Sequence, residues 1–163
     1  MFSVFKNINK FAGKSKIVDF LAIFLARTLA YLLVIFLAVL SFYEKSFHMF
    51  FVPVFSGIIA RLSNEVIHLF YKKERPAHLA GTNVLIPIPK NFSFPSGHAS
   101  FFFGISFMLF FYNIPLAIFF IIASCVIGIA RVFCGVHWFC DILSGAFVGL
   151  FSSLIIYALI NYI

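Results

Sequence analysis

An all-α fold, a polytopic membrane bundle of about five transmembrane helices behind an N-terminal interfacial helix, is what the sequence predicts. Three observations carry that expectation. Hydrophobic residues make up 63% of the chain, with a mean hydropathy of +1.10. Only 10% of residues are charged, against roughly 25% in soluble domains. The apolar runs are long enough to cross a ~30 Å hydrocarbon core as helices of about 20 residues. With no polar face to surround a water-soluble core, residues 1–163 read as a single integral membrane domain.

The elements follow in order. In "MFSVFKNINKFAGKSK", Phe2, Phe5, Ile8 and Phe11 recur three apart with Lys6 and Lys10 between them. That is a short amphipathic stripe suited to the membrane surface, broken by Gly13 and Ser15. Its interspersed lysines and the lack of a small-residue cleavage site do not read as a cleavable signal peptide. The first span is expected from Ile17 to about Phe42 and the second from about Phe47 to Tyr71, each with an internal arginine, Arg27 and Arg61. Glu65 stands four after Arg61, a spacing that suits a structural ion pair. Next comes the one long polar stretch, "KKERPAHLAGTNVLIPIPKNFSFP", whose four prolines and one glycine stop a helix. The third span begins at Ser96 or Gly97 and ends near Tyr112. The fourth covers about Ile114 to Ala130, and the fifth about Trp138 to Tyr162. The polar loop at 72–95 and the border at 131–137 are two spans apart, so they share one membrane face.

Charge points to a border rather than to a nucleic-acid partner. Twelve basic residues against five acidic ones leave a net charge of +7, but the cations are few and scattered over segment ends. Cys125, Cys134 and Cys140 are an odd number and imply no complete disulfide framework. Cys134, His137 and Cys140 have a C-x2-H-x2-C spacing that could suggest zinc. A fourth ligand is missing, however, and a helix splays the three around its axis, so packing or mutual pairing of the cysteines is the expectation.

Three short motifs lie on the shared face. "PSGH" ends the loop with Pro95 and places Ser96 as an N-cap. Gly97 leaves the backbone open and His98 falls in the first helical turn, where free N–H groups and the dipole attract anions. Taken alone, Ser96 could simply cap and His98 point to water. In "ARVFCGVHWFCD", His137 and Asp141 are four apart; if helical, they share a face, and the carboxylate can take one ring N–H and leave the other nitrogen basic. In "KKERP", Arg75 precedes Pro76, and arginine suits bidentate phosphate contact.

Together these motifs, over residues 68–141, resemble the type 2 phosphatidic acid phosphatase superfamily. Its pattern is a lysine seven residues before Arg-Pro, then Pro-Ser-Gly-His, then Ser-Arg-x5-His-x3-Asp. The resemblance implies a membrane lipid phosphatase in which His137 attacks phosphorus to form a phosphohistidine and Asp141 orients it. His98 would protonate the leaving oxygen and then activate water. Arg75, Arg131, Ser96 and the Gly97 amide would hold the phosphoryl oxygens, with no metal and no other cofactor. Two positions depart from the pattern: His68 stands where lysine is expected and Ala130 where serine is. Lys72, Lys73 or a protonated His68 would then supply the missing phosphate-binding charge.

The short length, the opening "FKNINKFAGKSKIVDF" and the loop ending "LIPIPKNFSFPSGH" look most like bacterial undecaprenyl-diphosphate phosphatases. The implied partners are a lipid phosphate or polyprenyl diphosphate and the membrane lipids. Phosphatidylglycerophosphate, phosphatidic acid and lipid A phosphatases share the motifs, and a lipid-phosphate binder or transporter is the non-enzyme alternative. The resemblance implies a multi-pass protein of the cell (inner) membrane with an extracytoplasmic site. The lysines at 6, 10, 14, 16, 72, 73 and 90, with Arg75 and Arg131, crowd that same face, which by the positive-inside rule would be cytoplasmic.

Overall fold

The computed structural model describes residues 2–162. Helix α1 (Phe2–Asn9) precedes a long helix α2 (Lys16–Tyr43), which is π-helical over Phe24–Thr28. Then come α3 (His48–Phe70), a 3-10 turn at Pro76–His78, α4 (Gly97–Leu109), α5 (Ile114–Phe133) and α6 (Phe139–Tyr162). The segment ends lie within a few residues of expectation because local signals set them. Asn113 caps α5 by accepting from the Leu116 amide at 3.0 Å, with Pro115 in the first turn. Gly135, at φ +80°, supplies the left-handed turn that follows α5.

Among the described residues, four helices, α2, α3, α5 and α6, are long and apolar enough to cross a membrane. The shorter apolar helix, α4, has 13 residues and reaches only ~20 Å at 1.5 Å per residue. It ends a turn earlier than its apolar run suggests. None of its residues is exposed, so α4 is the axis of the bundle, packed against α3, α5 and α6. A helix that is apolar all round and buried needs no match to the lipid thickness.

Close approach makes this possible. A Cβ on Gly104 of α4 would stand 3.0 Å from the Gly57 Cα of α3, and one on Gly149 of α6 would stand 2.6 Å from the Gly104 nitrogen. Small residues let the three backbones touch, which is where helix association in lipid finds its van der Waals energy. Hydrogen bonds between helices add to it: Ser106 with Ser124 at 3.1 Å, and Asn64 to Ser100 at 3.0 Å.

One end of the bundle is tied together by polar contacts. Asn9 of α1 donates to the carbonyls of Asn83 and Phe133, both at 2.8 Å, and accepts from the Asn83 amide at 2.9 Å. The Leu85 amide donates to the Cys134 carbonyl at 3.2 Å. Of the stripe expected on α1, Phe5 is buried against the Trp138 ring, 5.0 Å between centroids, whereas Phe2 and Phe11 remain exposed. The loop at 72–95 and the border at 131–137 therefore do meet, as the parity of the spans requires.

Candidate active site

At that end, the first turn of α4 faces the turn between α5 and α6. Ser96 is fully buried and accepts from the Ala99 amide at 3.5 Å, while its own amide donates to the Asp141 carbonyl at 3.0 Å. The Gly97 and His98 amides have no acceptor among the described residues, leaving two donors at the positive end of the helix.

Arg75 is buried and held rigidly by the loop. Its Nε donates to the Asn91 carbonyl at 3.0 Å, and its Nη2 to Asn91 Oδ1 and the Phe92 carbonyl, both at 2.9 Å. Its Nη1 donates to the Val136 carbonyl at 2.8 Å and faces His137 Nε2 at 3.1 Å. Burial lowers its pKa and Asp141 opposes the shift. Arg131 is equally buried, donates from Nη1 to the Ala26 carbonyl at 3.3 Å, and its Nε has no partner among the described residues.

His137 is 2% exposed. Its Nδ1 lies 3.1 Å from the Ser93 carbonyl and 3.6 Å from Asp141 Oδ2. The nearer carbonyl takes the Nδ1 proton, since 3.6 Å is too long for a hydrogen bond. With Nδ1 protonated, the Nε2 lone pair is left pointing at the Arg75 guanidinium. Burial lowers the His137 pKa to about 4, with Asp141 resisting and Arg131 and Arg75 assisting. The ring is therefore neutral, with a free lone pair, in a cationic pocket.

The helical His–Asp face expected from the spacing does not form, because α6 begins at Phe139 and His137 sits in the turn before it. Asp141, fully buried, instead accepts from the Trp138 amide at 2.9 Å and from the Ser93 hydroxyl, and pairs with Lys73 at 2.8 Å. It thus touches Ser93, whose carbonyl meets His137, and holds the turn backbone at Trp138. Ser93 and Asn91 were invisible as site residues, since nothing in "NFSFP" marks which loop carbonyl will meet a ring nitrogen.

Lys73 and Lys72, expected beside the phosphate, are placed otherwise. The Lys73 ammonium donates to Asp141 and to Cys140 Sγ, both at 2.8 Å. Burial works against its charge, but those bonds outweigh it and raise its pKa. Lys72 is exposed, with no hydrogen bond among the described residues. His68, at the departing position, is buried 3.6 Å from Glu65 and hydrogen-bonds nothing described.

The cation that approaches the helix start is Arg61, whose Nη1 stands 3.4 Å from where a Cβ on Gly97 would be. It makes no ion pair with Glu65 among the described residues, so its expected structural role is not the one observed. A narrow cleft joins Arg61, Asn64, His68, Arg75 and Gly97. On the other side, His98 and Arg131 line a separate void of about 210 Å³.

The cysteines are free thiols. Burial pushes the Cys134 thiol up to about 11, and it packs with Ala130 and Val136. No group of metal-ligating side chains forms among the described residues. Arg61, Arg75 and the Gly97 amide thus gather at one cleft, with the neutral His137 ring against Arg75, while Arg131 and His98 line the other void. Such a field stabilises charge building on a tetrahedral or trigonal-bipyramidal oxyanion.

The sequence profile of the PAP2 superfamily matches residues 47–163. The chain is 28% identical over 156 residues to the bacitracin transport permease protein BcrC of Bacillus licheniformis, covering 94% of this chain and 77% of that one. In fold it is similar to the crystal structure of Aquifex aeolicus LpxE, at a TM-score of 0.73 and 22% identity over 96% and 93% of the two chains. It also resembles the crystal structure of the first transmembrane PAP2 type phosphatidylglycerolphosphate phosphatase from Bacillus subtilis. There the TM-score is 0.69 and the identity 23%, over 99% of this chain and 86% of the other.

Proposed function

The chain belongs to the PAP2 superfamily and is a multi-pass membrane lipid phosphatase; on that premise we propose that it converts undecaprenyl diphosphate to undecaprenyl phosphate through a phosphohistidine at His137. The single observation that carries the mechanism is the tautomer lock. His137 Nδ1 is tied to the Ser93 carbonyl, and Nε2 is presented to Arg75 at 3.1 Å.

In the first step Nε2 attacks the terminal phosphorus, and the bond from that phosphorus to the bridging oxygen breaks. The leaving oxygen keeps the electron pair and takes a proton from His98. Arg75, Arg131, Arg61 and the amides of Gly97 and His98 hold the non-bridging oxygens, and Ser96 fixes the turn that presents those amides. In the second step His98 takes a proton from water, the water oxygen bonds phosphorus, and inorganic phosphate leaves His137. Asp141, charge-balanced by Lys73, keeps Ser93 and the 134–138 turn in register. The arginines and amides provide the positive field that a metal ion supplies in other phosphoryl transfers.

The polyprenyl substrate is supported by the chain's overall resemblance in length, opening segment and loop. Phosphatidylglycerophosphate, phosphatidic acid and lipid A remain the competing substrates. A transport reading draws on the name of the Bacillus licheniformis relative, a transport permease protein, but has no use for a tautomer-locked imidazole beside a second histidine. We place the site on the extracytoplasmic side of the cell (inner) membrane. Labelling of a Lys90→Cys chain by an impermeant maleimide outside intact cells tests that placement.

The deciding assay is phosphate release by the detergent-purified protein in EDTA. Undecaprenyl diphosphate, phosphatidylglycerophosphate and phosphatidic acid are compared, with His137→Ala alongside. Release that survives EDTA, is fastest on the diphosphate and vanishes in the variant is the expected result. Equal release by His137→Ala removes the phosphohistidine, and a monoester ranked first removes the polyprenyl substrate.

A further inference from the structure

Arg27 plays no part in the steps above. It lies in the π-helical stretch Phe24–Thr28 of α2, is exposed, and has no hydrogen bond or ion pair among the described residues. An arginine within a membrane span is costly unless it meets a polar cavity or a partner. Single π-turns, which push one side chain out of helical register, recur at functional positions. Both features point the same way.

The depth of Arg27 is set by its neighbour. The Ala26 carbonyl accepts from Arg131 at 3.3 Å, which brings this part of α2 level with the site. Helix α2 has 28 residues, ~42 Å of helix against a ~30 Å core. Arg131 lies in the last turn of α5, so Arg27 is level with the border end of that helix rather than with its middle. Beside it is the void of about 210 Å³, bounded by Arg27, Tyr31, Pro87, Pro89, His98 and Arg131. Tyr31, four residues after Arg27, is on the same face. Beyond it, exposed Leu32 and Ile35 offer an apolar track along α2.

His98 and Arg131 line this void, whereas His137 and Arg75 do not. It is therefore on the leaving-group side of the attacked phosphorus. We infer that it is a subsite for the second, lipid-bearing phosphoryl group of a lipid diphosphate, with the Arg27 guanidinium and the Tyr31 hydroxyl as ligands; this rests on the phosphatase reading above. When the His137–phosphorus bond forms, the bond from the attacked phosphorus to the bridging oxygen breaks. That oxygen keeps the electron pair and departs with the lipid phosphate. A monoester sheds an alcohol oxygen that needs only the proton from His98. A diphosphate sheds a second phosphate, whose growing negative charge calls for a further cation. Arg27 is that cation, and the lipid tail leaves the void along α2.

The test compares kcat/KM for farnesyl diphosphate and for phosphatidic acid, in detergent with EDTA, in the wild type and in Arg27→Gln, Arg27→Lys and Tyr31→Phe. The expected result is a fall of roughly tenfold or more in the diphosphate-to-monoester ratio in Arg27→Gln. Arg27→Lys recovers part of it, and Tyr31→Phe shows a smaller fall in the same direction. A wild type active on the diphosphate, with the ratio unchanged in Arg27→Gln and Tyr31→Phe, overturns the subsite alone. A loss shared equally by both substrates does the same. A wild type that cleaves monoesters and not the diphosphate overturns the substrate reading, and the subsite with it.

Discussion

Replacing Lys73 by Met separates a residue that serves Asp141 from one that serves the substrate. Lys73 Nζ stands 2.8 Å from Asp141 Oδ1, with side-chain exposures of 22% and 0%. At an effective dielectric of about 20, that contact has a gross Coulomb energy of about 6 kcal/mol. Removing one partner of a buried pair costs about 3–5 kcal/mol, because the remaining charge stays buried. Asp141 keeps the Ser93 hydroxyl and the Trp138 amide, and water can reach the space vacated by a partly exposed ammonium. The expected loss is thus about 2–3 kcal/mol, at or just below the lower end of that range. For a chain of this length that is a fall of about 4–12 °C in apparent Tm at fixed scan rate. Adding Asp141→Asn to Lys73→Met removes the orphaned charge and should restore most of the Tm. In kinetics, Lys73→Met should lower kcat with little change in KM, because the site loosens around His137 while the phosphate ligands stay. Lys72→Met should change neither. An unchanged Tm with a tenfold higher KM in Lys73→Met would refute the assignment and return Lys73 to the phosphate.

Other outcomes follow from the same geometry. His137 carries a pKa lowered to about 4 by burial. Its unfolded value is near 6.5, so below 6.5 the unfolded chain binds more protons. Its contribution to stability is complete above pH 6.5 and is lost as pH falls towards 4; His137→Gln should flatten that part of a Tm-against-pH curve. Arg75→Lys keeps the charge but cannot reproduce the fork that holds Asn91, Phe92 and Val136 while facing His137, so kcat should drop by roughly a hundredfold in the phosphate-release assay. Gly149→Ala puts a methyl 2.6 Å from the Gly104 nitrogen; the helices must part, at about 1–3 kcal/mol, read as a lower Tm and a poorer yield of monodisperse protein.

Much of the molecule was legible in the chain because lipid is a demanding solvent. Backbone groups in hydrocarbon must bond within their own segment, so long apolar runs could only be helices, and Pro115 and the Pro-rich loop marked their limits. Ser96, Gly97 and His98 were readable because a helix start is a local object. Arg75, Arg131 and His137 were readable from three short patterns that the count of spans brings to one face.

What tertiary structure alone decided lies in contacts between distant residues. Hydropathy measures transfer out of water and cannot say whether an apolar helix meets lipid or other helices. That is why nothing in the chain set α4 apart from the other spans, although it is the buried axis. Lys73 and Asp141 are 68 residues apart, and the Ser93 carbonyl meets His137 across 44; no periodicity encodes either. Arg61 and Arg27 could be read as structural charges or as lining a head-group cavity until packing set one beside Gly97 and the other in the void with His98. The sequence by itself determined which groups could hold a phosphate. Only the packing of α4 among its neighbours decided which of them come together, because a charge acts across a few ångströms of space and not along the chain.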